Sequence, residues 1–223
     1  MKNLLIIFLL LTLFSCGTNK YLTSSVQATE VENMNYFKPL SYIQYIKKGN
    51  KLERNDSLSN ITQNKIDSIL IKNKSQYRLS DKITIDNDTI NAKIESEINY
   101  LAQIINRTKN LNDIKLTPTI DSIIQNNDQR FSLIIVAAGF RRRKGNYGGQ
   151  VAKGAAIGIL TLGMAVPTPI KSNLFLHGFI FDSKNHNVAF YKRVLPQEKS
   201  PTDPEIIKKQ LNSLFEGYFY ERK

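Results

Sequence analysis

Residues 131–140, FSLIIVAAGF, decide the fold of this 223-residue chain. The stretch is almost continuously apolar, and its length and β-branched residues are typical of a central strand that is covered on both faces.

The sequence after this strand predicts a β-hairpin and then a helix. Residues 173–181 and 188–194 are apolar strand candidates, joined by the polar residues 183–186. Thr202, Asp203 and Pro204 then have the residue types of a helix start. The buried face of that terminal helix is predicted to consist of Ile207, Leu211, Leu214 and Tyr218.

Three helices are predicted before the central strand. Thr117 and Pro118 indicate the start of a short helix that buries Ile120, Ile123 and Ile124. A longer helix, with Asp88 or Thr89 as its cap, repeats isoleucine and leucine at helical spacing. Its apolar positions are Ile90, Ile94, Ile98, Leu101 and Ile105, and a short helix is predicted around Ile66, Ile69 and Leu70.

The remaining strands are predicted nearer the amino terminus. Residues 77–85 are a possible strand in which Ile83 and Ile85 alternate with polar residues. Residues 42–46 form a short strand-like run, and Gly49 and Asn50 supply a turn toward a return segment at Leu52. Strands and helices mix without strict alternation, so we predict an α+β fold with a mainly antiparallel sheet of about five strands and helices packed against it.

The chain is expected to form one domain, because its length fits one domain with appendages. We place that domain at residues 39–223. Residues 16–38 mix small polar residues with little periodicity, which predicts a lipidated cysteine followed by a flexible tether.

Residues 1–16, MKNLLIIFLLLTLFSC, have the pattern of a secretory signal. The apolar run is short for a helix that spans a bilayer of about 30 Å, so cleavage is favoured over a permanent membrane span. Leu13, Ser15 and Cys16 resemble the lipobox of bacterial lipoproteins, although Phe14 is larger than the residue usual at its position. This resemblance implies that residues 1–15 are removed and that Cys16 is acylated and anchored in the lipid bilayer. Because Gly17 is not aspartate, the resemblance also implies an outer-membrane location facing the periplasm.

Positive charge is concentrated in the carboxy-terminal part. Residues 130–223 carry a net charge of +9, against +2 for residues 17–129. Between residues 130 and 181 there are seven basic residues and no acidic one. The basic residues that we expect to contact an anionic partner are Arg141, Arg142, Arg143, Lys144 and Lys153.

A glycine-rich segment at residues 141–170 contains thirteen uncharged residues, GAAIGILTLGMAV, at 154–166. One interpretation is a long connection whose apolar part folds back over the sheet. The other is a segment that touches a membrane, a neighbouring subunit or an anionic envelope polymer, because basic residues beside apolar ones suit anionic headgroups. The candidate membrane or subunit contacts are Gly154, Gly158, Ile159, Leu160 and Leu162.

No sequence motif points to an enzyme, a cofactor or a metal site. The single cysteine and two histidines exclude disulfide scaffolds, zinc fingers and multi-histidine sites. Ala152 and Gly154 around Lys153 break the phosphate-loop pattern, and neither a nucleophile elbow nor an H-E-x-x-H motif occurs. A pI near 9.7 is typical of proteins that bind nucleic acid. The export signal and the absence of a nucleic-acid-binding motif in the sequence argue against that function.

We interpret two pairs of acidic residues and the two histidines as structural rather than catalytic residues. We interpret Asp86 and Asp88 as part of a helix-capping region, and Glu95 and Glu97 as solvated charges on a helix. His177 is expected inside a strand and His186 in a turn, so the two do not converge. We predict that the chain is not an enzyme.

The predicted order of strands and helices behind a lipobox resembles that of small periplasmic α/β lipoproteins, including those related to the amino-terminal domain of TolB and to the curli-secretion channel. The resemblance covers residues 40–220 in architecture only, and it implies an accessory or assembly role. The function predicted from the sequence is a membrane-anchored, non-catalytic interaction or assembly module that binds an envelope protein or an anionic envelope polymer. The alternative is a subunit of a membrane-associated homo-oligomer or a secretion or pore assembly that uses the apolar segment.

Overall fold

The computed structural model describes residues 21–47, 51–108, 110–126, 128–143, 145, 148 and 170–221. They form an α+β fold with one mixed sheet of eight strands. The strands are β1 (Leu22–Thr23), β2 (Met34–Phe37), β3 (Leu40–Ile46), β4 (Leu52–Arg54), β5 (Leu79–Ile83), β6 (Phe131–Arg142), β7 (Ser172–Asp182) and β8 (Asn187–Arg193). The helices are α1 (Asp56–Lys72), α2 (Asp88–Thr108), α3 (Pro118–Gln125) and α4 (Pro204–Phe215).

Strand β6 is the central strand, as the sequence predicts. On one side it pairs antiparallel with β7 along eleven consecutive residue pairs, from Phe131 with Asp182 to Arg141 with Ser172. Strand β8 continues that side as the second arm of the predicted hairpin, and β1 pairs with β8 at the edge. This half of the sheet is antiparallel.

The other side of β6 is occupied by two parallel strands in succession. Strand β2 pairs with the start of β6, at Ser132 and Leu133, and β3 pairs with its second half. The residues between β2 and β3 are Lys38 and Pro39, and proline has no backbone N–H to give to a ladder. Beyond this pair the sheet divides, because β5 pairs parallel with β2 whereas β4 pairs antiparallel with β3.

Helices cover both faces of the sheet, so successive residues of β6 are buried on opposite sides. Leu133 and Ile135 belong to the core beneath α1 and α4. Ile134 and Val136 belong to the core beneath α2 and α3. The double cover explains why the sequence of β6 is apolar throughout rather than alternating.

The helix predictions are confirmed in position, with differences at their ends. Helix α2 buries Ile94, Ile98, Leu101 and Ile105, which share one face. Its start is capped by Asn87, whose Oδ1 accepts hydrogen bonds from the backbone N–H groups of Thr89 and Ile90, rather than by Asp88 or Thr89. Helix α1 has 17 residues and is longer than the short helix predicted.

Helices α3 and α4 begin where the sequence predicts. Both have proline in the first turn, Pro118 and Pro204 respectively. Asp203 caps α4, and its carboxylate accepts hydrogen bonds from the backbone N–H groups of Glu205 and Ile206. Tyr218 is buried beyond the last residue of α4.

Two predictions about organisation need correction. The sheet is mixed and has eight strands, rather than mainly antiparallel with about five, because the sequence does not reveal the parallel pairing of β2, β3, β5 and β6. Residues 21–38 are also not a tether: Val31, Met34 and Tyr36 are fully or almost fully buried, and β2 lies between β5 and β6. No helix in the described ranges combines the length and the apolar character that crossing a membrane requires.

Candidate anion-binding cleft

Arg141 and Arg142 of the predicted basic cluster are the last two residues of the central strand. Strand β6 continues past its apolar part, so Arg141 pairs with Tyr45 of β3 on one side and with Ser172 of β7 on the other. Arg142 pairs in the same way with Ile46. The basic cluster therefore starts from a backbone that is fixed by two neighbouring strands.

Further hydrogen bonds hold the residues that follow. The N–H of Arg143 donates to the carbonyl of Ile46 at 3.0 Å, and the N–H of Arg142 donates to the carbonyl of Lys171 at 3.0 Å. The Arg142 side chain is half-buried, and its Nε donates to the carbonyl of Ile170 at 2.7 Å. Arg141 and Arg143 are exposed, so their guanidinium groups are accessible to a ligand.

These arginines line a cleft of about 860 Å³ that we call the basic cleft. Its other side is the start of α1, which contributes Asn55, Ser57 and Leu58. Among the described residues that line it, four are basic and none is acidic. The described residues that line it are Tyr45, Asn55, Ser57, Leu58, Arg141, Arg142, Arg143, Gly145, Gly148 and Lys171.

All the charged side chains in the described lining of this cleft are positive. Four cations around one concavity repel each other, and an anion that enters relieves the repulsion. The amino end of α1 lines the same space, and its partial positive charge is offset by Asp56 in the first turn, which is paired with Arg54. Asn55 caps that helix by accepting a hydrogen bond from the N–H of Leu58 at 2.9 Å, which fixes the position of the first turn.

Three of the five basic residues predicted to contact an anion are together in this cleft. Lys144 and Lys153 lie outside the described residues, as do Cys16 and the candidate membrane or subunit contacts Gly154, Gly158, Ile159, Leu160 and Leu162. The structure adds Lys171, which the site prediction omitted although it directly precedes β7. Tyr45 and the start of α1 could not be found from the sequence, because they are distant from the arginines along the chain.

The acidic residue Glu97 has a structural role, and the prediction of a solvated charge is wrong for it. Its carboxylate accepts hydrogen bonds from Thr117 Oγ1 and from the backbone N–H groups of Thr119 and Ile120, which caps α3. Burial alone would raise the pKa of Glu97, but these hydrogen bonds hold it below its ordinary value. Glu95, two residues earlier, lies beside Tyr42 on a different side of α2.

The two histidines have separate partners. His177 Nδ1 lies 2.8 Å from the hydroxyl oxygen of Tyr191, and burial, helped by the charge of Arg193, lowers the pKa of His177 to about 4. His186 is in the turn between β7 and β8, where its Nδ1 lies 2.9 Å from a carboxylate oxygen of Asp121. Across the ranges that the structure describes, no three His, Cys, Asp or Glu side chains are grouped to hold a metal ion.

Comparisons with known proteins give no relative. No family model matches the chain, no curated protein matches it, and no solved structure matches it. The resemblance to small periplasmic lipoproteins therefore stays a prediction.

Proposed function

We propose that this protein is a lipid-anchored, non-catalytic binding module of the bacterial envelope, and that it holds an anionic envelope partner in the basic cleft. The observation that carries the proposal is the convergence of Arg141, Arg142, Arg143 and Lys171 on one cleft whose described lining contains no acidic side chain. A concave surface that has basic side chains and lacks acidic ones favours an anionic ligand.

The anchor part of the proposal rests on the lipobox-like residues at 13–16. Acyl chains on Cys16 would hold the domain at the outer membrane, because each buried methylene contributes about 0.8 kcal/mol of membrane affinity. A module fixed at a membrane needs only modest affinity for an envelope polymer, because anchoring raises the effective concentration. A small positive cleft on a lipid-anchored domain is suited to binding such a polymer with modest affinity.

The cleft is tested by binding of linear polyphosphate to the full-length lipidated protein in detergent, measured by isothermal titration calorimetry. We expect the double variant Arg141→Gln/Arg143→Gln to bind at least about tenfold more weakly, because two direct charge contacts are lost. Wild-type affinity should fall steeply as salt is raised from about 50 to 300 mM, because exposed charges are screened.

The matched control is Lys208→Gln/Lys209→Gln, which removes the same charge from exposed positions on α4 outside the basic cleft. Equal losses in the two double variants would mean that only net charge attracts the polymer, and would refute a specific site.

The anchor is tested separately by substituting the acylation site. Cys16→Ser should abolish incorporation of labelled palmitate and move the protein from the membrane to the soluble fraction. Phe14→Ala, which brings the lipobox closer to the usual pattern, should leave both unchanged. Retention of Cys16→Ser in the membrane without label would contradict lipid anchoring.

A further inference from the structure

A second cleft lies where the sheet divides, and we call it the polar cleft. It has a volume of about 530 Å³ and opens between the last residue of β4, Arg54, and the end of β5 at Ile83. Phe37, Lys38 and Leu40 around the β2–β3 connection line it, together with residues of α1 and α2. Clefts at the carboxyl ends of parallel strands, here β2 and β5, are common ligand sites in α/β sheets.

Residues at the start of α1 hydrogen-bond to backbone groups of Ile43 and Pro39, where β3 is not paired with β4. The N–H of Ile43 donates to Ser59 Oγ at 3.0 Å, and its carbonyl accepts from the N–H of Asn55 at 2.9 Å. Gln63 Nε2 donates to the carbonyl of Pro39. These backbone groups are already paired, so a peptide strand cannot be added to β3 at Ile43.

The charges that line the polar cleft balance. Among the described residues that line it, three are positive and three are negative, and Arg54 is paired with Asp56 through a 2.9 Å contact from Nε to Oδ1. This balance gives no preference for an ion of either sign. The charged lining residues are Lys38, Arg54, Lys82, Asp56, Asp86 and Glu95.

The uncharged lining suits a ligand that both donates and accepts hydrogen bonds. Asn60 and Thr84 are exposed in the cleft and offer an amide and a hydroxyl, while Leu40 and Ile85 supply apolar surface. Ser41 is 8% exposed, and its Oγ has no hydrogen-bond partner among the described residues. Sugar units combine hydroxyl groups with apolar ring faces, so they match this combination.

The polar cleft and the basic cleft share one wall. Along the chain from Arg54 to Asn60, the residues Asn55, Ser57 and Leu58 line the basic cleft, whereas the other four line the polar cleft. The two clefts thus flank the first turn of α1, and a helix with its side chains is about 10 Å wide. A ligand that reaches both clefts must be a chain of several units.

We propose that the anionic partner is a polysaccharide whose charged groups bind in the basic cleft while neighbouring sugar units bind in the polar cleft. This inference rests on the proposed function and names its ligand class. A charged protein surface would use the basic cleft alone, because the described charges that line the polar cleft balance and the backbone of Ile43 and Pro39 beside it is already hydrogen-bonded.

The test compares two anionic probes, a heparin hexasaccharide and linear polyphosphate of similar charge, by titration calorimetry on the full-length lipidated protein. The informative variant is Asn60→Leu, which replaces the amide by an apolar group of similar size. We expect it to weaken heparin binding about fivefold or more, through the lost hydrogen bonds, and to leave polyphosphate binding within about twofold of wild type. Asn60→Gln, which keeps an amide, should retain most of the heparin affinity.

Asn64→Leu is the matched control, because Asn64 is an exposed asparagine one turn further along α1 and lines neither cleft. Circular dichroism melting of both leucine variants checks that α1 is intact. Unchanged heparin affinity in Asn60→Leu, or an equal loss for both probes, overturns the polysaccharide inference. The basic-cleft proposal survives those results if Arg141→Gln/Arg143→Gln still weakens both probes, and it fails if neither probe binds the wild-type protein.

Discussion

Arg130 holds the buried carboxylate of Asp182 through two parallel hydrogen bonds, from Nε to Oδ1 at 2.9 Å and from Nη2 to Oδ2 at 2.7 Å. The Asp182 side chain has no exposed surface. The same carboxylate accepts from the backbone N–H groups of Lys184 and Asn185, so it orders the turn of the β7–β8 hairpin. The pair thus joins the start of the central strand to that turn.

Arg130→Ala should lower the free energy of unfolding by about 3 kcal/mol, because it leaves a buried carboxylate without its charged partner. Urea unfolding at pH 7 measures the change. Lys47→Ala is the control, since Lys47 pairs with Glu53 where both side chains are more than one third exposed. Exposed pairs contribute about 0–1 kcal/mol, so a similar cost in both variants would contradict the prediction.

Stability should fall as the pH is lowered from 7 to 5, because of His177. Its folded-state pKa of about 4 lies below the ordinary value of 6.5, so between these values the unfolded state binds a proton that the folded state does not. This difference in proton binding predicts that the free energy of unfolding falls by about 2 kcal/mol between pH 7 and pH 5. Urea unfolding of wild type and His177→Phe at both pH values checks it, and an equal pH dependence in the two proteins would exclude His177 as the cause.

Glu97→Ala should destabilise the protein by about 1–2 kcal/mol, because it removes the acceptor that caps the start of α3. Glu97→Gln keeps one side-chain acceptor and should cost less. Thermal unfolding of both variants measures the difference. If alanine and glutamine give the same melting temperature as wild type, the capping role assigned to Glu97 is wrong.

Gly139→Ala should disrupt the ladder between β6 and β7. A Cβ at this position would overlap the backbone carbonyl of Asn173, which cannot move without separating the strands. We expect a loss of more than about 2 kcal/mol in stability, typical of overpacking against fixed backbone. In Gly178→Ala the added carbon would meet Leu214 at 3.4 Å, an ordinary contact, so this variant should remain close to wild type in urea unfolding.

The sequence predicts the helices and the hairpin well, because their signals are local. The isoleucine and leucine spacing of α2 marks its buried face, and Pro118 and Pro204 mark two helix starts. The apolar stretch at 131–140 identifies the central strand without knowledge of its neighbours. These features follow from side-chain periodicity and backbone geometry within a few residues.

The candidate site is only partly predictable for the same reason. Arg141, Arg142 and Arg143 are consecutive, so their common location is evident in the sequence. Tyr45 enters the basic cleft only because β3 pairs in parallel with β6 across almost a hundred residues. Such pairing leaves no local pattern.

The amino-acid sequence by itself determined the α+β composition, the buried central strand, the capped helices and the clustering of positive charge. Tertiary structure alone decided that residues 34–37 join the sheet, since this short strand has no periodic signal and is fixed by its neighbours β5 and β6. It also decided the division of the sheet beyond β2 and β3, and with it the polar cleft. The physical reason is that strand pairing depends on contacts between residues far apart in the chain, whereas helix formation depends on residues one turn apart.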